Sequence, residues 1–412
     1  MSHPQQEAKP LAQPPDGGTR AWLVTLGCWC AFFVTFGWIN AIGVFQEYYQ
    51  QHLLRDYSPS TIAWIPACET SMMFAGGLVF GKLFDSYGPV AELLIGSFLH
   101  VFGLMMTSLS TEYYQIFLSQ AICSAVGSSC VYYACAGSIV TWFERKRSTA
   151  FGIAASGSSI GGVVFPIMVF KLIPRVGFPW TMRITAFVVL GLLVVTNLTV
   201  RSMITHAPKP FTVREYLLPF RELRFSLLVA AMTMFSFGLF LPFNFLVLQA
   251  QSIGMSNDLS EYMIAVLNAA SFFGRTLPGP AADRFGRFNV MIVTMVLAGV
   301  VVLAAWIPAT TNATVIVFAI LYGFFSGAYV SLGPTLLAQI SDISQIGIRN
   351  GSLYFVVSIA ALTGNPIAGA LENADHGGFT YLQIFAGVTT CVGGLLMLVT
   401  RISMTGMKWA VI

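Results

Sequence analysis

Two stretches decide how this chain folds: Gly279-Pro-Ala-Ala-Asp283-Arg-Phe-Gly286-Arg287 and an earlier counterpart, Gly81-Lys-Leu-Phe-Asp85-Ser-Tyr-Gly88-Pro89. Both follow the pattern Gly-x-x-x-Asp-x-x-Gly, both lie between long apolar runs, and their aspartates are 198 residues apart in a chain of 412. A second pair repeats at nearly the same offset. Gly161-Gly-Val-Val-Phe-Pro166 is answered by Leu362-Thr-Gly364-Asn-Pro366, with prolines 200 residues apart. Two independent echoes at one spacing mean an internal duplication.

Composition sets the solvent. The chain is 56% hydrophobic and 9% charged, with a mean hydropathy of +0.74, whereas a water-soluble domain carries roughly a quarter charged residues. This excludes a soluble globular protein and implies a polytopic one in the lipid bilayer. The formal net charge of +4 is too small to suggest a nucleic-acid partner. The seven cysteines fall mostly within apolar runs, where they act as small hydrophobes, and no Cys/His spacing matches a metal site. No nucleotide loop and no set of nucleophile, base and orienting acid is visible, so neither an enzyme nor a cofactor is expected. The polar, Pro-rich residues 1–16 lack the basic and apolar regions of a signal peptide and read as a short tail.

A membrane-crossing helix needs about 20 mainly apolar residues. With that ruler, spans are predicted near 21–46, 60–81, 90–109, 114–142, 149–173, 180–201, 224–249, 260–279, 288–308, 313–339, 350–371 and 379–401. The expected fold class is therefore an all-α membrane protein of twelve transmembrane helices in two pseudo-symmetric six-helix bundles. The expected divisions are a tail (1–20), a first bundle (21–201), a linker (202–223), a second bundle (224–402) and a closing tail (403–412). With the N-terminus cytoplasmic, the inner loops collect most Lys and Arg residues, and the outer side receives only Arg55, Lys171, Arg175 and Arg183. By the positive-inside rule both termini face the cytoplasm, and the plasma membrane is the expected location.

Both duplicated loops then lie on the cytoplasmic side, after spans two and eight. Their glycines permit tight turns and close helix approach, and each Asp is suited to accept hydrogen bonds from the free N–H groups at a helix start. The pattern resembles the signature loop of the major facilitator superfamily, Gly-x-x-x-Asp-(Arg/Lys)-x-Gly-(Arg/Lys). The second copy (Gly279, Asp283, Arg284, Gly286, Arg287) matches in full. The first (Gly81, Asp85, Gly88) departs at Ser86 and Pro89. The resemblance implies a cytoplasmic gate, with Asp85 meeting the start of span eleven near Arg349 and Asn350, and Asp283 the start of span five near Ser148. Further motifs are Pro15-Asp16-Gly17-Gly18, the segment Gly37 to Gln46 that includes Gly43, and Trp142 to Gly152. They resemble the monocarboxylate-transporter-like branch, particularly its fungal members.

Charges within a bilayer are costly and mark functional sites. Arg275, in span eight, is the leading candidate for binding an anionic substrate, a role the resemblance also implies. Glu69 in span two reads either as a proton-coupling carboxyl or as a structural hydrogen-bonding residue. His100, in span three, reads as a packing residue. Among uncharged groups, Asn40, Tyr133, Asn244, Asn268 and Tyr329 are candidate substrate ligands. The resemblance places a Lys in span one and an Asp in span eight of proton-coupled monocarboxylate carriers, and here those positions hold Asn40 and Ser271.

The resulting expectation is a monomeric secondary active transporter for a small organic anion or weakly acidic secondary metabolite, working by alternating access and leaning to efflux. Alternatives are proton-coupled monocarboxylate uptake and a non-transporting membrane sensor.

Overall fold

Among the described residues twelve long helices carry the fold, with short ones in the connections, and the reasons for their ends are local. The computed structural model describes residues 14–41, 45–46, 48–208, 210–408 and 410–411. Most of the N-terminal tail with Lys9, the Gly43 end of the span-one motif, and Lys209 lie outside the described residues.

The helices are α1 (Thr19–Ile39), α2 (Ser60–Tyr87), α3 (Pro89–Thr107) and α4 (Tyr113–Trp142), followed by α5 and α6 within the continuous stretch Arg147–Thr199. That 53-residue stretch is two spans, because Gly177 adopts φ 78° and turns the chain back, so α5 covers 147–176 and α6 178–199. The second half comprises α7 (Leu223–Ser252), α8 in two pieces (Met263–Thr276 and Pro278–Phe285), α9 (Arg287–Trp306), α10 (Asn312–Gln339), α11 (Ile346–Ala374) and α12 (Thr380–Thr405). Proline starts the second piece of α8 at Pro278, where the missing N–H is tolerated.

Start signals are explicit. Ser58 accepts the Thr61 amide at 3.2 Å ahead of Pro59, and Thr311 caps α10 through the Thr314 amide at 3.3 Å. Within each half the helices pack as an independent bundle, α1 against the α5–α6 stretch and α3 against α4 in the first, α7 against α12 and α8 against α10 in the second. Small residues allow the close approach: a side chain at Gly157 or Gly161 would collide with the α1 backbone at Trp29 or Phe33. The halves meet along two symmetry-related pairs, α2 with α11 and α5 with α8.

The outer faces of α3, α6, α9 and α12 carry exposed Phe98, Phe187, Val293 and Leu395. In water such faces would be strongly unfavourable, and in lipid they are the natural surface. The protein is an integral membrane protein. His100 lies inside the first bundle, its ring bonding Ser124 Oγ at 2.8 Å and the Val34 carbonyl at 3.1 Å, in keeping with a packing role.

Candidate functional site

The two duplicated loops perform the same task on opposite halves. Asp85, at the end of α2, accepts the amides of Gly347 and Ile348, each at 2.9 Å, at the start of α11. Asp283, at the end of α8, accepts the amides of Ser148 at 3.0 Å and Thr149 at 2.8 Å, and the Thr149 hydroxyl at 2.8 Å, at the start of α5. Each half thus caps a helix of the other. The bonds are charge-assisted and aligned with the positive end of the helix dipole. Contact on the α11 side falls one and two residues before the expected Arg349.

Both glycines of each loop have work to do. Gly88 and Gly286 take φ 75° and 97° and reverse the chain into the next helix. A side chain on Gly81 would strike the Gly347 backbone, and one on Gly279 the Ser148 backbone, so only glycine lets the helices cross so closely. Arg287 strengthens the second loop: its Nε donates to Ser148 Oγ at 3.0 Å and its guanidinium to the Glu144 carbonyl. Arg284 instead lies over the Phe285 ring, 5.5 Å from its centroid and so within reach of a cation–π contact. This end of the bundle is closed.

Above the closed end, a cavity of about 40 Å³ lies between the halves. Its polar lining includes Asn40, Ser271, Arg275, Ser326 and Tyr329. Arg275 reaches from α8 to α5, donating through Nη1 to the Ala155 carbonyl at 3.1 Å and to Ser158 Oγ. It is 4% exposed, and its Nε has no partner. Among the described residues no carboxylate pairs with it, so its positive charge in this low-dielectric setting is met only by neutral dipoles. One turn earlier, the Ser271 hydroxyl is likewise buried and unpartnered.

The facing wall is aromatic. Phe74 and Tyr354 stack at 5.4 Å, and Tyr132 sets its edge to Phe36 at 5.1 Å and to Tyr354 at 6.1 Å. Three of the six candidate ligands line this cavity: Arg275, Asn40 and Tyr329. Tyr329 also bonds Ser236 Oγ at 2.6 Å and donates to the Met232 carbonyl at 3.0 Å. Asn268 sits beside the lining, its Oδ1 accepting from Asn40 Nδ2 at 3.1 Å, a bond between the halves. Tyr133 points away, donating to the Phe74 carbonyl at 2.8 Å, and Asn244 pairs at 2.7 Å with Asn365. Tyr132 and Tyr354 line the cavity as well. Adjacent tyrosines on a helix point about 100° apart, and only the helix phase tells Tyr132 from Tyr133.

Glu69 is 1% exposed and belongs to the first bundle alone. Trp38 Nε1 donates to its Oε1 at 2.7 Å and Gln120 Nε2 to its Oε2 at 2.9 Å, while Tyr49 donates to Gln120 Oε1 at 2.6 Å. It lies apart from the Arg275 cavity. Among the described residues no group of three or more His, Cys, Asp and Glu side chains is placed to hold a metal ion.

Twelve membrane helices in two halves that cap one another's helices, around a central cavity, define a secondary transporter. The chain belongs to the Major Facilitator Superfamily, whose model matches residues 27–248 and 225–405. It is 54% identical over 395 residues to MFS-type transporter 1 of Ophiocordyceps sp. (strain BCC 1869), covering 96% of this chain and 88% of that one. It is 46% identical over 393 residues to the fujikurins efflux protein of Gibberella fujikuroi, covering 95% and 84%. Among solved structures, the human organic anion transporter MFSD10 (TETRAN) superposes with a TM-score of 0.72 at 15% identity, over 93% of this chain and 100% of that one, a likeness of fold.

Proposed function

We propose that this transporter exports a small organic anion or weakly acidic secondary metabolite, and that Arg275 receives the anionic group. The observation that carries this is a buried guanidinium lining the cavity between the halves, with an idle Nε and no acidic partner among the described residues. Such a charge is costly unless an anion answers it for part of the cycle. Efflux is supported by the relative named for export of fujikurins. Asn40, Tyr329 and Ser271 supply neutral hydrogen-bonding groups around the same cavity, and Asn268 joins them through Asn40. Tyr133 and Asn244 act as helix contacts.

The halves, 21–201 and 224–402, rock about the cavity as the linker 202–223 bends. We place the chain in the monocarboxylate-transporter-like branch, in the plasma membrane, as a monomer with both termini in the cytoplasm. Glu69, sealed within one half, is a structural hydrogen-bonding residue rather than a proton carrier.

The test uses inside-out vesicles from cells expressing the chain. Accumulation of acidic aromatic metabolites above that of vesicles without the protein, abolished in Arg275→Ala at equal protein level, is expected. Equal accumulation with Arg275→Ala would remove Arg275 from the site.

A further inference from the structure

The two gate loops are unequally equipped. In the second, Arg287 ties the loop to the opposite half. The position matching it in the first loop is Pro89, which has no donor. The segment joining the halves lies against the first loop. Its short helix Val213–Leu217 contacts both α2 and α11. On the α2 side, Glu215 pairs with Lys82 at 2.6 Å, and the Tyr216 hydroxyl donates to the Leu78 carbonyl at 2.5 Å. On the α11 side, the Tyr216 carbonyl accepts from Ser352 Oγ at 3.4 Å, and Glu222 holds Arg349 through both guanidinium nitrogens. Closer to the loop, His206 contacts the Asp85 carbonyl at 3.3 Å and Ser202 Oγ at 2.8 Å.

We propose that the linker is part of the gate: Glu215 and Tyr216 are positioning residues that hold α2 against α11, supplying for the Asp85 latch what Arg287 supplies for the Asp283 latch. The physical reason is that opening this end separates α2 from α11, and a segment bonded to both must release one of them. Lys82 makes the contact costly to break. It is 5% exposed, and Glu215 is its one acidic partner among the ion pairs of the described residues. Removing the partner leaves a buried ammonium without compensation. The inference depends on the transporter fold and not on what Arg275 binds.

The experiment is a charge-reversal cycle read by accessibility. Asn350, 5% exposed at the start of α11, becomes the reporter as Asn350→Cys. The native cysteines all lie within membrane helices, and their labelling sets the baseline. The full chain in lipid nanodiscs is treated with a water-soluble maleimide. Glu215→Gln and Glu215→Lys are each expected to speed labelling of the reporter several-fold, as is Lys82→Glu. The double variant Lys82→Glu/Glu215→Lys is expected to return it towards the starting rate. An unchanged rate in both Glu215 variants, or a double variant as fast as the singles, overturns the proposal. Glu215→Gln keeps the test valid if a charge reversal fails to fold, because the Glu215 side chain is 34% exposed and the change conserves its shape.

Discussion

Asp283 accepts the Ser148 amide at 3.0 Å, joining the end of α8 to the start of α5 across the boundary between the halves. Asp85 repeats the arrangement with Gly347 at 2.9 Å, from the first half to the second. Closure of this end is therefore written twice, and each copy is broken when the halves part.

Charge at these two positions is expected to set the balance between closed and open forms. Asp283→Asn keeps one acceptor, loses the charge-assisted character of three bonds to the start of α5 and removes the ion pair with Arg287. A shift of about tenfold towards the open form follows, equivalent to roughly 1.4 kcal/mol. Asp85→Asn weakens the bonds to the Gly347 and Ile348 amides and should shift it in the same direction. Spin-label distances between the loop ends of α5 and α8, and of α2 and α11, measure both populations.

Glycine at the crossing is expected to be irreplaceable. Gly81→Val places a branched side chain against the Gly347 backbone, where even a single carbon collides. The closed form is lost while each bundle keeps its own packing. Transport should fall to background with protein still inserted in the membrane, and Gly279→Val should act alike on α5. Wild-type transport from Gly81→Val would mean the crossing is looser than it stands here.

Glu69 separates a structural carboxyl from a proton carrier. In Glu69→Gln the amide oxygen still accepts from Trp38, and Gln120 turns its own amide to match, so stability and transport should be nearly native. Glu69→Ala leaves Trp38 and Gln120 without an acceptor beside a void, and should cost about 3 kcal/mol or more in thermal or denaturant unfolding. Loss of transport in Glu69→Gln with intact folding would restore the proton-carrier reading.

His206 gives the closed end a pH dependence. Burial against Phe84 and the α2 end lowers its pKa below the ordinary 6.5, against a weaker opposing effect from the Asp85 carbonyl. The closed form thus binds fewer protons at this site than an exposed ring would, so its stability is complete above pH 6.5 and declines as pH falls through and below that value. In His206→Gln the decline should shrink. Repeating the spin-label measurement between pH 5 and 8 shows it.

Much of this was readable in advance, and the exceptions have physical causes. Loop recurrence gave the duplication, and run length gave the spans, because lipid demands long apolar helices whatever the detailed packing. The partner of Asp283 was legible through the family resemblance, which implies a meeting with the start of span five near Ser148, where free helix amides need acceptors. The cavity was less so. Arg275 stood out as a charge among apolar residues, but Ser271, Tyr132 and Tyr354 are ordinary members of membrane helices until helix phase and tilt turn them to one space. The linker was hidden for another reason: Glu215 and Lys82 are 133 residues apart, and nothing local in either stretch names the other.

The most direct measurement compares one acidic aromatic metabolite with its methyl ester in inside-out vesicles. Ester formation removes the charge and leaves the ring and most of the volume. Saturable accumulation of the acid, competition by related acids, little handling of the ester, and loss of the difference in Arg275→Ala are the expected results. Equal transport of acid and ester by the native protein would contradict an anion site at Arg275.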